Sequence, residues 1–254
     1  MNRTIIIRSA LLILALLAGA SGASSQDAAA ILDKMDNIIF SPKDRQGKIA
    51  IILIDKTGKE KVREAEMFQK GTDKKLYRYT KPESQAGIAT LSLPDDVMWL
   101  YLPALGKPKK ISNTDEKQSF NNTDFSYEDM IPAPYAERYT PELLDPENDA
   151  YIISMVPKTN VKSEYSKIIA RVNKQYGYPI SMEYYDPKGK KIKEATYTYE
   201  RAGKYWNASE VLMKDLVKSH STKILLSEMK FDQGLSDDLF LVENMKPAGK
   251  KKSE

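Results

Sequence analysis

Between Gly47 and Val242 the chain is written as short apolar runs separated by turns, and this punctuation restricts the fold more than any single residue does. Ile49 to Ile54 is almost wholly apolar and β-branched, and Lys56-Thr57-Gly58-Lys59 turns it back. Lys61 to Phe68, a turn at Lys70-Gly71-Thr72-Asp73, Lys75 to Tyr79 and Ile88 to Leu93 follow, and then Val97 to Leu102. After an irregular stretch the spacing resumes with residues 150–156, 165–172, 178–185, 192–199, 206–213, 223–231 and 239–242. Short runs divided by Gly- or Asp-bearing turns specify a meander of antiparallel hairpins.

The faces of these strands are only partly separated into apolar and polar. Tyr178, Ile180, Met182 and Tyr184 alternate on one face, and Ala195, Tyr197 and Tyr199 oppose Glu194, Thr196 and Thr198. Such alternation means one covered and one solvated face. The only clear amphipathic helix runs from Asp27, a possible cap, to Ile39, with Pro42 beyond it. Ile31, Leu32, Met35, Ile38 and Ile39 share one stripe, while Asp33, Lys34, Asp36 and Asn37 take the other face. With so little helix, the sheet must cover itself by curling. The expected fold is mainly β: a strongly curved antiparallel sheet, a half-open β-barrel with short helices as a lid over an apolar cavity. Ile31, Met35 and Ile38 are the lid candidates.

The run Val97-Met98-Trp99-Leu100-Tyr101-Leu102-Pro103 carries no charge. Its parity places Val97, Trp99 and Tyr101 on one side and Met98, Leu100 and Leu102 on the other. A strand apolar on both faces reads as central, with one face open to the cavity. Val97, Trp99, Leu100 and Tyr101 are therefore candidate lining residues, together with Phe120 and Phe125 in the loop beyond. From Asn113 to Leu144 the chain is irregular, and Pro132, Pro134 and Pro141 exclude a long central strand or helix there.

The residues that catalysis would need are sparse. The chain has no Cys and one His, His220, in the polar stretch Lys218-Ser219-His220-Ser221-Thr222. Cys/His chemistry and His-rich metal sites are thereby excluded. There is no Gly-x-Ser-x-Gly elbow and no Gly-rich phosphate loop. Asp124, Glu128 and Asp129 lack the spacing of an EF-hand loop and read as turn caps and partners for nearby lysines. No catalytic residue, metal or cofactor is expected. The 39 Lys and Arg stand against 35 Asp and Glu, too balanced for nucleic acid. The fifteen tyrosines fall mostly inside strands, where Tyr is a good half-buried residue.

The N-terminus places Arg3 and Arg8 before an uncharged run from Ala10 to Ala18 and the small residues Gly19-Ala20-Ser21-Gly22-Ala23. That order describes a cleaved export signal over residues 1–23. A Cys for lipid modification is absent, so a soluble periplasmic protein without a lipid anchor is expected. Residues 24–245 form the expected single domain, and residues 246–254, with Lys246 and Lys250-Lys251-Lys252, a basic flexible tail.

The segment Trp99-Leu100-Tyr101-Leu102-Pro103-Ala104-Leu105, followed by basic residues, Ile111-Ser112, Ser119-Phe120 and Asp124-Phe125-Ser126-Tyr127-Glu128-Asp129, resembles the outer-membrane lipoprotein-sorting proteins. That family is related to the periplasmic lipoprotein carrier LolA. The resemblance continues through Tyr184-Tyr185-Asp186-Pro187-Lys188-Gly189-Lys190 and Asp237-Asp238-Leu239-Phe240. Where the family has Gly-Ser before Asp-Phe, this chain has Asn122-Thr123; Asn tolerates positive φ, so the turn should survive. The resemblance implies a carrier that shields lipoprotein acyl chains or another membrane lipid. It also implies an inner-membrane transport complex as donor and an outer-membrane acceptor. Two other roles fit the same pattern: a module that senses a lipid or lipoprotein and regulates an envelope membrane protein, and a structural protein whose side chains fill its own cavity.

The export signal predicts that cell fractionation finds a processed chain, beginning near Ser21 or Ser24, in the soluble periplasm. An unprocessed chain in the membrane fraction would overturn this localisation.

Overall fold

The computed structural model describes residues 20–111 and 119–246. Most of the expected export signal and all but the first residue of the basic tail lie outside them. One long helix, α1 (Ala20–Phe40), precedes the strands β1 (Asp44–Ile54), β2 (Glu60–Lys70), β3 (Lys74–Lys81), β4 (Ala89–Leu93), β5 (Val97–Tyr101) and β6 (Pro108–Lys110). A loop of short 3-10 turns then leads to a single helical turn, α2 (Tyr135–Arg138). The second run of strands is β7 (Tyr139–Leu144), β8 (Ala150–Pro157), β9 (Lys167–Asn173), β10 (Pro179–Tyr185), β11 (Lys191–Ala202), β12 (Tyr205–Asp215) and β13 (His220–Phe231).

These strands form one antiparallel sheet in the order β6-β5-β4-β3-β2-β1-β13-β12-β11-β10-β9-β8-β7. Two meanders, each built of sequential hairpins, are thus joined where β1 pairs with β13. The sheet curves but does not close, so β6 and β7 remain as edges. The main core lies on the concave side. It brings Met67 and Tyr77 of the first meander together with Ile153, Ile168, Met182 and Ala195 of the second, and with Leu32 and Met35 of α1.

Four local expectations are corrected. β7 was hidden by Pro141, but Pro is tolerated on an edge, and β7 is one. Pro108 likewise opens the other edge strand, where the sequence reads as a turn. The β5 strand is next to that edge rather than central, and both its faces are covered because a second, smaller core lies behind it. That second core is built on the segment expected as a strand at 239–242, which forms two 3-10 turns, Asp237–Phe240 and Val242–Met245. Its Phe240 and Met245 pack with Leu76, Leu91 and Tyr101.

The helix also departs from its expected form. It is described from Ala20 onward, so Asp27 lies inside it and is not its cap. Asp36, placed by periodicity on the solvated face, is buried. Its carboxylate accepts hydrogen bonds from the backbone N–H groups of Tyr135 at 2.9 Å and Ala136 at 2.8 Å, capping α2. The sequence distance of about a hundred residues explains why no local pattern shows this partner. Burial, only partly offset by those two donors, raises the Asp36 pKa to about 6.

Asp36→Ala should therefore destabilise the fold by about 1–3 kcal/mol, the cost of orphaned buried donors, while Asn37→Ala on the exposed face changes little. Because the folded-state pKa lies above the unfolded one, the contribution of Asp36 is fully present below pH ~4 and falls as pH rises through about 6. Urea denaturation at pH 4.5 and 7.5 should show this loss in the wild type and not in Asp36→Asn.

Candidate functional site

The concave face holds a cavity of about 230 Å³ that opens to solvent. Its floor comes from both meanders: Ile49, Met67 and Tyr77 from β1–β3, and Ile168, Met182, Tyr184, Tyr197, Val211 and Ile224 from β9–β13. Its cover is the irregular segment, which contributes Phe125, Met130, Ile131, Pro132, Tyr135 and Tyr139, with Ile39 and Phe40 from the end of α1. Methionine adapts its shape to what it packs against, and Met67, Met130 and Met182 supply that property here. Tyr184 and Tyr197 bring their hydroxyls within 3.5 Å of each other, and burial pushes the Tyr197 pKa up to about 12. These phenols stay neutral at any physiological pH.

Buried polar contacts pin the cover. Asp129 accepts from the Ser126 N–H at 2.8 Å and from the Tyr165 hydroxyl at 2.9 Å, and its carboxylate lies 3.4 Å from Lys193 Nζ. Burial works against the Lys193 charge, but Asp129 and Glu164 outweigh it and raise its pKa. Glu128 accepts from the Glu164 N–H at 2.8 Å and lies 3.7 Å from Arg138. Asp124 holds His220 Nδ1 at 2.9 Å and the Thr222 hydroxyl at 2.6 Å. So the three carboxylates do pin turns, but among the described residues only Asp129 uses a lysine. Asn121 and Asn122 take φ of 48° and 59°, the left-handed conformation that the Asn-for-Gly exchange was expected to tolerate.

The structure scatters the lining candidates read from sequence. Phe125 lines the cavity. Phe120 is buried behind it, edge-on to Tyr77 and Tyr127 at ring distances of 5.9 and 5.4 Å. Met35 is buried in the main core and Ile31 packs against it, while Ile38 is half-buried beside the residues that reach the cavity. On β5 the parity holds: Met98 and Leu100 pack with the main core, Trp99 and Tyr101 with the second. Val97 shares the parity of Trp99 and Tyr101, and none of the β5 residues is among those lining the cavity. Trp206 is the tryptophan at the cavity.

Three causes hid the true lining. Tyr135 and Tyr139 lie in a segment without periodicity. β10 carries a bulge between Pro179 and Ser181, so Pro179, not Ile180, shares the cavity face with Met182. Tyr199 follows the alternation of β11, but its partner β12 carries a bulge between Ala208 and Glu210, so Trp206 and Ala208 share the cavity face with Val211 despite their opposite parity.

Residues 71–247 match a family model described as "uncharacterized protein". A domain from Vibrio parahaemolyticus named for outer-membrane lipoprotein sorting is 26% identical, with a TM-score of 0.81 over 88% of this chain and all of that one. The chain belongs to the family of that model and has a LolA-like fold. Two further solved structures share its fold. A DUF1329 family protein from Desulfovibrio piger is 24% identical, with a TM-score of 0.83 over 88% of this chain and 99% of that one. A LolA superfamily protein from Nitrosomonas europaea is also 24% identical, with a TM-score of 0.72 over 84% and 97% of the two chains. No curated protein matches the chain.

In this LolA-like protein an acyl probe entering the cavity should change the emission of Trp206, measured in a Trp99→Phe background. Trp99, measured in a Trp206→Phe background, should not respond, because it faces the second core. The reverse pattern would place the ligand elsewhere.

Proposed function

We propose that this protein is a periplasmic carrier that shields lipoprotein acyl chains, or another membrane lipid, during transfer towards the outer membrane. The observation that carries this reading is an apolar, methionine- and tyrosine-rich cavity on the concave face of a LolA-like sheet, roofed by a separately pinned segment. The likeness in fold to a domain named for outer-membrane lipoprotein sorting and to a LolA superfamily protein supports it. Residues 24–245 act as the lipid-binding unit. Of the lining candidates read from sequence, Phe125 contacts the acyl chain directly, and Met35, Ile31, Ile38 and Phe120 hold the roof against the sheet. Val97, Trp99, Leu100 and Tyr101 support the wall from farther away. The expected partners are a transport complex in the inner membrane and an acceptor in the outer membrane.

The physical task sets the mechanism. Each CH₂ removed from water is worth about 0.8 kcal/mol, so a chain of ~16 carbons gains on the order of 10 kcal/mol. Unassisted release on that scale is slow, and a partner must open the roof. The contacts that must yield are those of Asp36 with α2 and of Arg45 with the Ile39 carbonyl at the end of α1.

Mass spectrometry of the protein purified from periplasm should find co-purifying lipid. Ile224→Glu, which puts a charge in the cavity, should abolish it, whereas Val62→Glu on the exposed side of β2 should retain it. Both variants should keep the wild-type near-UV circular dichroism. Lipid-free wild-type protein that also binds no added acyl probe would sink the carrier reading.

A further inference from the structure

The cavity is not uniformly apolar. In the ladders Arg45 on β1 stands opposite Gln69 on β2, and Gln69 opposite Lys75 on β3, so the three side chains form one row across adjacent strands. All three line the cavity. The next rows on the same face are Gly47, Met67 and Tyr77, then Ile49, Ala65 and Tyr79. Alternate residues of a strand are separated by about 7 Å, so the lining changes from cationic to apolar within a single step.

Among the described residues, no carboxylate pairs with the charges in that row. Arg138, the third cation in the lining, is paired with Asp96 at 2.7 Å. Among the described contacts, Arg45 donates to the Ile39 carbonyl, and Lys75 lies 5.1 Å from the centre of the Tyr77 ring; neither has a carboxylate partner. The two carboxylates of the lining, Glu128 and Asp129, are engaged elsewhere, with the Glu164 N–H and with Lys193. Burial, and next the charge of Arg45, push the Lys75 amine down to about 7. Burial also lowers the pKa of Arg45. Two partly buried cations held in one row are costly unless an anion compensates them.

We infer that the row Arg45-Gln69-Lys75 receives the anionic headgroup, carboxylate or phosphate, of an amphiphile whose chain runs into the apolar interior. This rests on the lipid-binding reading above and adds the headgroup class. Arg45 offers a planar fork of donors and Lys75 a movable ammonium, the two cations that bind such oxyanions best. Gln69, whose amide donates to the Gly71 carbonyl at 3.1 Å, fixes the spacing between them. A free inorganic anion would use the row but leave the adjoining apolar rows empty, so an amphiphile fits the lining better.

The test compares three probes of equal chain length, palmitate, hexadecyl phosphate and hexadecanol, by calorimetry on the delipidated full protein. The wild type should bind at least one anionic probe about tenfold or more tighter than hexadecanol, the worth of one charge-assisted contact. Which anion is preferred separates a carboxylate source from a phosphate source. Lys75→Gln and Arg45→Met should lose that discrimination while keeping their affinity for hexadecanol. Should Arg45→Met fail to fold, Lys75→Gln decides alone. Equal wild-type affinity for all three probes, or discrimination that survives in the folded variants, overturns the headgroup assignment and leaves the lipid reading standing. Failure to bind any of the three overturns both.

Discussion

A sheet that curves without closing has a concave face of apolar side chains and too little helix to bury them. Everything else in this protein answers that constraint. The strand order gives two hairpin meanders joined through β1 and β13, and the curvature brings their inner faces together. What the sheet cannot cover is roofed by α1 and by the loop ending in α2. Complete filling would make a core; partial filling leaves a cavity lined by flexible methionines and by tyrosines.

The roof is held by polar contacts rather than by apolar packing alone. Asp36 fixes the start of α2, Asp129 joins the loop to Tyr165 and Lys193, and Asp124 joins it to β13 through Thr222 and His220. Buried polar contacts of this kind are directional and have little value when half made. They suit a roof that must sit in one place when closed and detach as a unit when opened. Apolar contacts alone would slide.

The same reasoning separates the charged groups by role. Lys193 and Arg138 are buried with carboxylates and belong to the architecture. Arg45 and Lys75 are half-buried in one row, and among the described residues no carboxylate answers their positive charge. A carrier specialised for a neutral chain end would gain by replacing them with apolar residues of similar size.

The sequence by itself determined the class of fold, because period-two alternation and turn residues act between neighbours along the chain. Eleven of the twelve expected strands appear, and α1 buries Leu32 and Met35 as its stripe requires. It also determined how the residues of β5 would divide between two apolar faces. Only the tertiary structure decided what those faces meet. Trp99 faces a core made from a segment about 140 residues further along the chain, and Trp206 faces the cavity. Asp36 became a buried cap because a helix turn a hundred residues away docks on it. The Arg45-Gln69-Lys75 row exists because two ladders lie in one register, and register is fixed by long-range pairing, which no local pattern in the chain records.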